Sequence, residues 1–235
     1  MRRAGGLRVR LSVVMPALDE ARQIGEAVAS TVFGLEEEDE LIVVDGGSGD
    51  DTVARARAAG AAVVSAPRGR GLQMNAGAAC ARGDVLLFQH ADTRLPLGFR
   101  AAITAVLTEP AVTWGRFDLA FDRGGPVLRA IAHLITLRSR LFASATGDQA
   151  IFVRRSEFES IGGYREPRLF EDVELVQRLR RRGRMGIPGG RVVTSSRRWR
   201  NDGVWRTTLR MWTLKSLYLA GVPAQRLLDY YSDER

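Results

Sequence analysis

The sequence has a single cysteine, few histidines and no long apolar run. Cys80 is the only cysteine among 235 residues, so an internal disulfide is excluded, and we expect Cys80 to be a small core residue in a reducing, cytoplasmic setting. The first apolar run contains Pro16 and lacks a small-residue cleavage site, which favours a first strand over a signal peptide. Basic residues interrupt the most apolar window, 204–222, so we expect no membrane-spanning segment.

Positive charge exceeds negative charge, with 35 Lys and Arg against 27 Asp and Glu and a net charge of +8. Much of the excess is arginine between positions 178 and 210. Such a patch attracts nucleic acid, lipid head groups or phosphorylated substrates alike. The sequence shows no zinc-ligand spacing and no aromatic RNA-stacking motif, and its arginines do not line one helix, so nucleic acid is not an expected partner.

Strand and helix patterns alternate along the first half of the sequence. Apolar strands buried on both faces and joined by helices predict an α/β fold with a parallel, Rossmann-like sheet and right-handed crossovers. The predicted strands are 7–18, 39–45, 61–67 and 84–93, and the predicted helices are 21–35, 50–60 and 71–83.

The second half is less regular and shows no repeat or linker. We expect one domain, 1–235, with a nucleotide-binding half (about 1–110), an acceptor and catalytic half (about 111–200) and a helical tail (about 203–235). The patterns predict a strand at 111–121, a helix at 127–141, a strand leading into a short helix at 149–164, and a helix at 171–183.

Two polar loops follow predicted strands in the first half. Asp45 ends a strand at the sheet edge where α/β proteins bind ligands, and it could accept hydrogen bonds from a ribose or a base; the glycines and Asp50 that follow are equally typical of a tight loop with a helix cap. Arg68 and Arg70 precede a helix, as in a phosphate site or a plain basic loop.

The stretch LLFQHADTRLP, 86–96, ends a buried strand with His90 and Asp92. A hard cation such as Mg²⁺ is usually held by one or two carboxylates together with the phosphate oxygens of the substrate, so Asp92 is a candidate ligand. His90 would contact the nucleotide or assist at the metal; the alternative is an interior histidine beside a turn aspartate.

Further acidic residues lie downstream. Asp148 falls in TGDQAIF, and Glu171 and Asp172 immediately precede an amphipathic helix. Carboxylates at a helix start often only complement its dipole, which is what we expect of Glu174. A base that takes a proton from a hydroxyl needs a positioned carboxylate, and Asp172 is the best candidate.

Five segments occur in the order seen in family 2 glycosyltransferases of the GT-A fold, and the chain resembles that family up to about Trp205. They are 13–24, 43–52, 68–96, 147–164 and 170–184. The HADT and SSRRW stretches further resemble the small group called radical-SAM/selenodomain-associated glycosyltransferases. The resemblance implies a three-layer α/β/α fold and transfer of a sugar, typically a hexose, from a nucleoside diphosphate sugar to a hydroxyl.

The resemblance also implies residue roles. Asp92 would correspond to the aspartate that binds Mg²⁺ or Mn²⁺, His90 stands where the family usually has another aspartate, and Asp172 would be the general base of an inverting enzyme with Glu171 as its companion. Pro16, Leu18, Glu20 and Asp45 would surround the base and ribose, Arg70 would lie near the diphosphate, and Asn75, Asp148, Arg198 and Trp199 would complete the nucleotide-sugar site.

The family signature Q-x-x-R-W is represented only by Arg198 and Trp199, without its glutamine, so processive polymerisation is not expected. The tail from Trp205 to Val222 holds apolar residues among basic ones, which is typical either of a helix packed on its own domain or of an interfacial helix. The second case would give a peripheral protein at the inner face of the cell membrane and a lipid or lipid-linked acceptor.

Two other functions share these features. A sugar-phosphate nucleotidyltransferase would also use acidic metal ligands and a basic loop, but it would release pyrophosphate. A non-catalytic nucleotide-binding relative is the second alternative, because His90 departs from the family pattern.

Overall fold

A seven-stranded sheet forms the centre of this computed structural model, which describes residues 9–165, 169–228, 230 and 231. Residues 7 and 8 of the expected first strand, and residues 229 and 232–235 of the expected tail, lie outside the described residues.

Ten strands are present in the described residues. They are β1 (Leu11–Ala17), β2 (Glu40–Asp45), β3 (Ala62–Ser65), β4 (Val85–Phe88), β5 (Thr93–Arg94), β6 (Val112–Gly115), β7 (Asp118–Phe121), β8 (Ile151–Arg154), β9 (Arg184–Gly186) and β10 (Arg191–Thr194).

Ten α-helices connect and follow these strands within the same residues. They are α1 (Ile24–Val32), α2 (Thr52–Ala58), α3 (Arg70–Cys80), α4 (Phe99–Leu107), α5 (Pro126–Leu141), α6 (Arg155–Ser160), α7 (Glu171–Leu179), α8 (Arg197–Asn201), α9 (Val204–Leu219) and α10 (Ala224–Leu228).

The main sheet has the order β3-β2-β1-β4-β8-β6-β9. Every neighbouring pair is parallel except the two that involve β8, which runs antiparallel to β4 and to β6. A small second sheet has the order β5-β10-β7. The expected α/β fold with a mostly parallel central sheet is therefore confirmed.

Helices cover both faces of the main sheet because side chains alternate along each strand. Val13 and Met15 of β1 join a core that includes Ile24 of α1 and Ile103 of α4. Val14 joins the opposite core, which contains residues of α3, α6 and α7. The three layers match the α/β/α arrangement implied by the family resemblance.

Helix α3 lies close to the sheet because a glycine faces it. A Cβ added at Gly77 would overlap Cγ1 of Val14 and lie 2.8 Å from Cγ2 of Val44. One turn earlier, the buried Gln73 amide donates to the carbonyls of Ala17 and Val44, at 2.9 and 2.8 Å. These contacts fix the start of α3 beside the ends of β1 and β2.

Three expectations from the sequence are wrong. The segment 84–93 is not one strand, because β4 ends at Phe88 and Thr93 belongs to β5 of the small sheet. The segment 111–121 is not one strand: β6 belongs to the main sheet, whereas β7 follows after Arg116 and Phe117 and pairs with β10 in the small sheet. Cys80 is exposed, because it is the last residue of α3 and faces away from the sheet.

The C-terminal helices dock on the start of α7. Leu214 of α9 and Leu227 of α10 pack with Phe170 and Val173 in a third apolar cluster. The tail therefore does pack on its own domain, although several apolar side chains of α9 face solvent.

Replacing Gly77 with alanine should lower the free energy of unfolding by about 1–3 kcal/mol, because the added methyl overpacks the α3–sheet contact. Gly25→Ala in α1 is the matched control: nothing lies within 4 Å of the added Cβ, and the change should be neutral or slightly stabilising. Urea unfolding of both variants measures the difference. Equal midpoints for Gly77→Ala and wild type would contradict the packing argument.

Candidate active site

The residues predicted at the sheet edge converge because β8 runs antiparallel. β4 ends at Phe88, which pairs with Ile151 at the start of β8. The residues after β4 and those before β8 therefore lie at the same edge. This register brings His90 and Asp92 together with Asp148.

Two cavities open at this edge. The small cavity, about 70 Å³, is lined partly by Pro16 near the end of β1 and by Leu18 and Glu20 of the loop that follows. The large cavity, about 170 Å³, is lined partly by the acidic residues Asp92, Asp148, Glu171 and Asp172. Arg70 and His90 line both cavities, so the two cavities adjoin at these side chains.

The loop that carries Glu20 is held by the neighbouring Asp45 loop. The backbone amides of Asp19 and Glu20 donate to the hydroxyls of Ser48 and Thr52, at 2.9 and 2.7 Å. Asp45 itself accepts hydrogen bonds from the amides of Gly47 and Ser48 and from the Ser48 hydroxyl. Asp45 therefore shapes its own loop and does not line either cavity, unlike the residues after β1.

Asn75 also lies away from both cavities. Its side-chain amide donates to the Tyr164 carbonyl and accepts from the Tyr164 amide, both at 2.8 Å. These paired bonds tie α3 to the chain after α6. In the described residues the contacts of Asn75 are thus structural ones.

Asp172 is oriented by backbone amides at the start of α7. One carboxylate oxygen accepts from the Gly147 amide and the other from the Val173 amide, both at 2.7 Å. The Gly147 bond crosses from α7 to the loop that carries Asp148. Asp172 thus faces the large cavity in a fixed orientation.

Glu171 and Arg70 form the buried part of the site. Glu171 is only 5% exposed, and its carboxylate lies 4.0 Å from the Arg70 guanidinium. Burial and the adjacent Asp172 charge raise the Glu171 pKa to about 7, against the opposing effect of Arg70. Burial lowers the pKa of Arg70, but the charge of Glu171, with contributions from Tyr231, Asp148 and Asp172, outweighs burial and raises it overall.

His90 packs against the loop before β8. Its Nδ1 lies 3.3 Å from a carboxylate oxygen of Asp148. A Cβ added at Gly147 would lie 2.5 Å from Nε2 of the same ring, so only glycine fits at that position. The histidine therefore shapes the loop that also donates to Asp172.

Asp92 would hold a divalent cation only together with oxygen atoms of a bound substrate. Among residues 9–165, 169–228, 230 and 231, no cluster of three or more His, Cys, Asp or Glu side chains could hold a metal ion. Asp92 and Asp148 nevertheless both line the large cavity. This donor set suits Mg²⁺ or Mn²⁺ bound by a carboxylate together with the oxygens of a phosphorylated substrate.

Arg198 and Trp199 form the outer wall of the large cavity. The Arg198 guanidinium donates to the Tyr231 hydroxyl at 2.6 Å and lies over the Tyr231 ring, 4.9 Å from its centroid. Trp199 packs edge-on against Phe121 at 5.4 Å. The remnant of the Q-x-x-R-W signature thus lines the large cavity.

Sequence reasoning missed Arg138 and Lys215, which line the same cavity from α5 and α9. A signal was present for the first: Ile131, Ile135 and Arg138 share one face of α5, so a charged residue occupies an otherwise apolar stripe. The packing of α9 against the domain was not visible in the sequence pattern.

Glu171→Gln should change how stability depends on pH. The folded-state pKa of Glu171, about 7, lies above the unfolded value near 4.5. Ionisation of this carboxyl therefore lowers the stability of the wild type as pH rises from 4.5 to 7, and the loss is complete above pH 7. The unfolding free energy of the variant minus that of wild type should therefore rise by up to roughly 3 kcal/mol from pH 4.5 to 7.

Urea unfolding at several pH values measures this difference. Glu37→Gln, at an exposed loop position, controls for the change in net charge. A variant-minus-wild-type difference that stays flat across this range would contradict the assignment of a raised pKa to Glu171.

Curated relatives and solved structures share parts of this chain. Glucosyl-3-phosphoglycerate synthase of Mycolicibacterium paratuberculosis is 44% identical over a match that covers 35% of this chain and 28% of the relative. The chain thus spans under a third of the length of that relative.

Similar solved structures cover most of the chain. Glucosyl-3-phosphoglycerate synthase from Mycobacterium tuberculosis, in complex with Mg²⁺ and uridine diphosphate, is 25% identical with a TM-score of 0.59, covering 80% of this chain and 70% of that one. A mannosyltransferase from Pyrobaculum calidifontis, in complex with GDP-Man and Mn²⁺, is 20% identical with a TM-score of 0.62, covering 79% and 56%. The second likeness shows the fold alone.

The family model described as Glycosyl transferase family 2 matches residues 12–166. This span is well over half of the 235 residues and includes both loops that line the small cavity, together with His90, Asp92 and Asp148. The chain therefore belongs to glycosyl transferase family 2.

Proposed function

We propose that this chain transfers a hexose from a nucleoside diphosphate sugar to the hydroxyl of an acceptor, with inversion at the anomeric carbon and without processive polymerisation. The observation that carries the proposal is the meeting of the two cavities at Arg70 and His90. This geometry suits a donor whose nucleotide occupies one cavity and whose sugar points into the other, where Asp172 lies.

The donor would bind with its base and ribose in the small cavity against Pro16, Leu18 and Glu20. Its diphosphate would then reach Arg70, whose charge acts where the two cavities join. The relative crystallised with Mg²⁺ and uridine diphosphate supports this class of donor.

Asp92 is the residue proposed to hold Mg²⁺ or Mn²⁺, completed by phosphate oxygens of the donor. The bound cation would supply electrostatic stabilisation of the leaving diphosphate. His90 has no negative charge to offer at the position usually held by an aspartate, and its contact with Gly147 gives it a role in shaping the loop instead.

Asp172 is the proposed general base. As the bond between the anomeric carbon and the phosphate breaks, the acceptor oxygen attacks from the opposite face and its proton passes to the Asp172 carboxylate, so the anomeric centre inverts. Arg70 stabilises the negative charge that develops on the departing diphosphate. Glu171 is not assigned this role because its carboxylate faces the Arg70 guanidinium at 4.0 Å.

Asp172→Asn should lower kcat for sugar transfer by roughly 10²- to 10⁴-fold, because the amide cannot accept the proton. Affinity for uridine or guanosine diphosphate with Mn²⁺ should stay within about threefold of wild type. Glu174→Gln is the control on the same helix; Glu174 pairs with Arg178 at 2.5 Å and lies off both cavities. An undiminished rate for Asp172→Asn would overturn the assignment of the base.

The released product separates sugar transfer from nucleotide transfer. A glycosyltransferase releases a nucleoside diphosphate, whereas a nucleotidyltransferase releases pyrophosphate. Family membership favours the first reaction. The non-catalytic alternative is disfavoured because Asp92 and the Glu171–Asp172 pair all line one cavity.

A second part of the proposal concerns where the protein lies in the cell, and it rests on helix α9. None of the helices in the described residues is long and apolar enough to cross a membrane. At about 100° per residue, however, Trp205, Leu209, Trp212 and Leu219 fall within roughly 80° of arc, facing away from the buried Leu214. We propose that this exposed stripe rests on an anionic membrane surface at the cytoplasmic side.

One basic residue near the stripe supports this orientation. Arg206 is exposed and lies about 60° beyond one edge of the stripe, where it would meet anionic head groups. Apolar residues of α5, among them Leu134, Leu137 and Leu141, are also exposed. A lipid or lipid-linked acceptor would reach the large cavity directly from such a surface, since Trp212 lines its wall.

The double variant Trp205→Ser, Leu209→Ser should lose co-sedimentation with vesicles of phosphatidylcholine and phosphatidylglycerol, because the two side chains are 70% and 67% exposed in the stripe. Phe33→Ser is the control, since Phe33 is 83% exposed but belongs to the end of α1. Wild-type protein that stays in the supernatant, or a double variant that still pellets, would exclude membrane binding through α9.

A further inference from the structure

One wall of the large cavity is positively charged and has no part in the reaction proposed above. Arg138 reaches it from α5 and Lys215 from α9. Both charges act on Asp172, the proposed base. Neither residue lines the small cavity proposed for the nucleotide.

Arg138 is a cation without a carboxylate partner in the part of the chain that the structure describes. Its Nε and Nη2 atoms are buried and make no hydrogen bond there. Arg116 and Arg140, by contrast, both pair with Asp118 close by. A buried guanidinium that lacks acceptors is costly, so its free donors mark a place where an acceptor group is expected to bind.

Lys215 of α9 is the second cation in this cavity wall. It forms no ion pair with any carboxylate of the described residues. Burial and the nearby charge of Arg138 lower the Lys215 pKa to about 8, against the opposing effect of Asp172. Two cations thus repel each other across a cavity wall, and an anion between them would relieve that repulsion.

We propose that the acceptor carries a phosphate group, bound by Arg138 and Lys215, and presents its hydroxyl to Asp172. The geometry supports this assignment because both cations and the base line the same cavity. A phosphate supplies several strong acceptor oxygens for the unpaired donors of Arg138. This inference rests on the proposed function, which places the acceptor in the large cavity.

The donor does not account for these two cations. Its diphosphate is assigned to Arg70, which lies where the cavities join, and Arg70 already faces Glu171 at 4.0 Å. The phosphate proposed at Arg138 and Lys215 is therefore a second one. It would belong either to a soluble phosphorylated molecule or to a lipid phosphate that reaches the cavity past Trp212.

Glycerol phosphate is a suitable probe, since it carries a phosphate and hydroxyls, and glycerol is its neutral counterpart. Wild-type protein saturated with uridine diphosphate and Mn²⁺ should bind glycerol phosphate but not glycerol, as measured by isothermal titration. Arg138→Gln and Lys215→Gln should each weaken this binding by about tenfold or more, the loss typical of a hydrogen bond to a charged group. Arg138→Lys should restore part of it.

Arg129→Gln is the matched control, because Arg129 is an exposed residue of α5 that does not line the large cavity. Uridine or guanosine diphosphate affinity should be unchanged in all variants. If the nucleotides fail to bind wild type, the proposed function fails. If they bind, but glycerol phosphate binds no better than glycerol or is insensitive to both Gln variants, then only the phosphate inference is overturned.

Vesicles distinguish the two sources of the phosphate. Displacement of glycerol phosphate by phosphatidylcholine vesicles that contain phosphatidic acid, but not by phosphatidylcholine alone, supports a lipid phosphate. Binding that neither vesicle displaces supports a soluble phosphorylated acceptor.

Discussion

The hydrogen bond from the Gly147 amide to Asp172 joins the parts on which the site depends. It ties α7 to the loop before β8, and the same glycine accommodates the His90 ring from the loop after β4. Because β8 runs antiparallel between two strands of the sheet, this loop lies at the edge where β1 and β4 end. The proposed base, the residue proposed to bind the metal and the small cavity proposed for the nucleotide are thereby held close together.

Positive and negative side chains are distributed unevenly along the two adjoining cavities. At their junction Arg70 is surrounded by acidic groups, which raise its pKa, and burial raises that of Glu171. Farther along the large cavity, Arg138 and Lys215 form no ion pair with a carboxylate of the described residues. A donor diphosphate beside Arg70 and an acceptor anion beside Arg138 and Lys215 would balance these positive charges. The charges of the cavity would thereby favour the substrates of the proposed reaction.

Much of the sheet edge could be predicted from sequence because the signal there is local. A strand followed closely by Asp92, or a helix that begins with Glu171 and Asp172, is visible in a few residues, and strand alternation gives their common edge. Long-range packing was not visible. Helix α4 was missed although Phe99, Ile103 and Leu107 have helical spacing, and the break in 111–121 depends on the pairing of β7 with the distant strand β10.

A crystal structure with uridine or guanosine diphosphate and Mn²⁺ tests the central claim most directly. Anomalous diffraction from manganese should give a peak beside Asp92, and the nucleoside should occupy the small cavity against Pro16 and Leu18, with the diphosphate next to Arg70. A manganese peak away from Asp92, or a nucleotide bound outside the small cavity, would contradict the account.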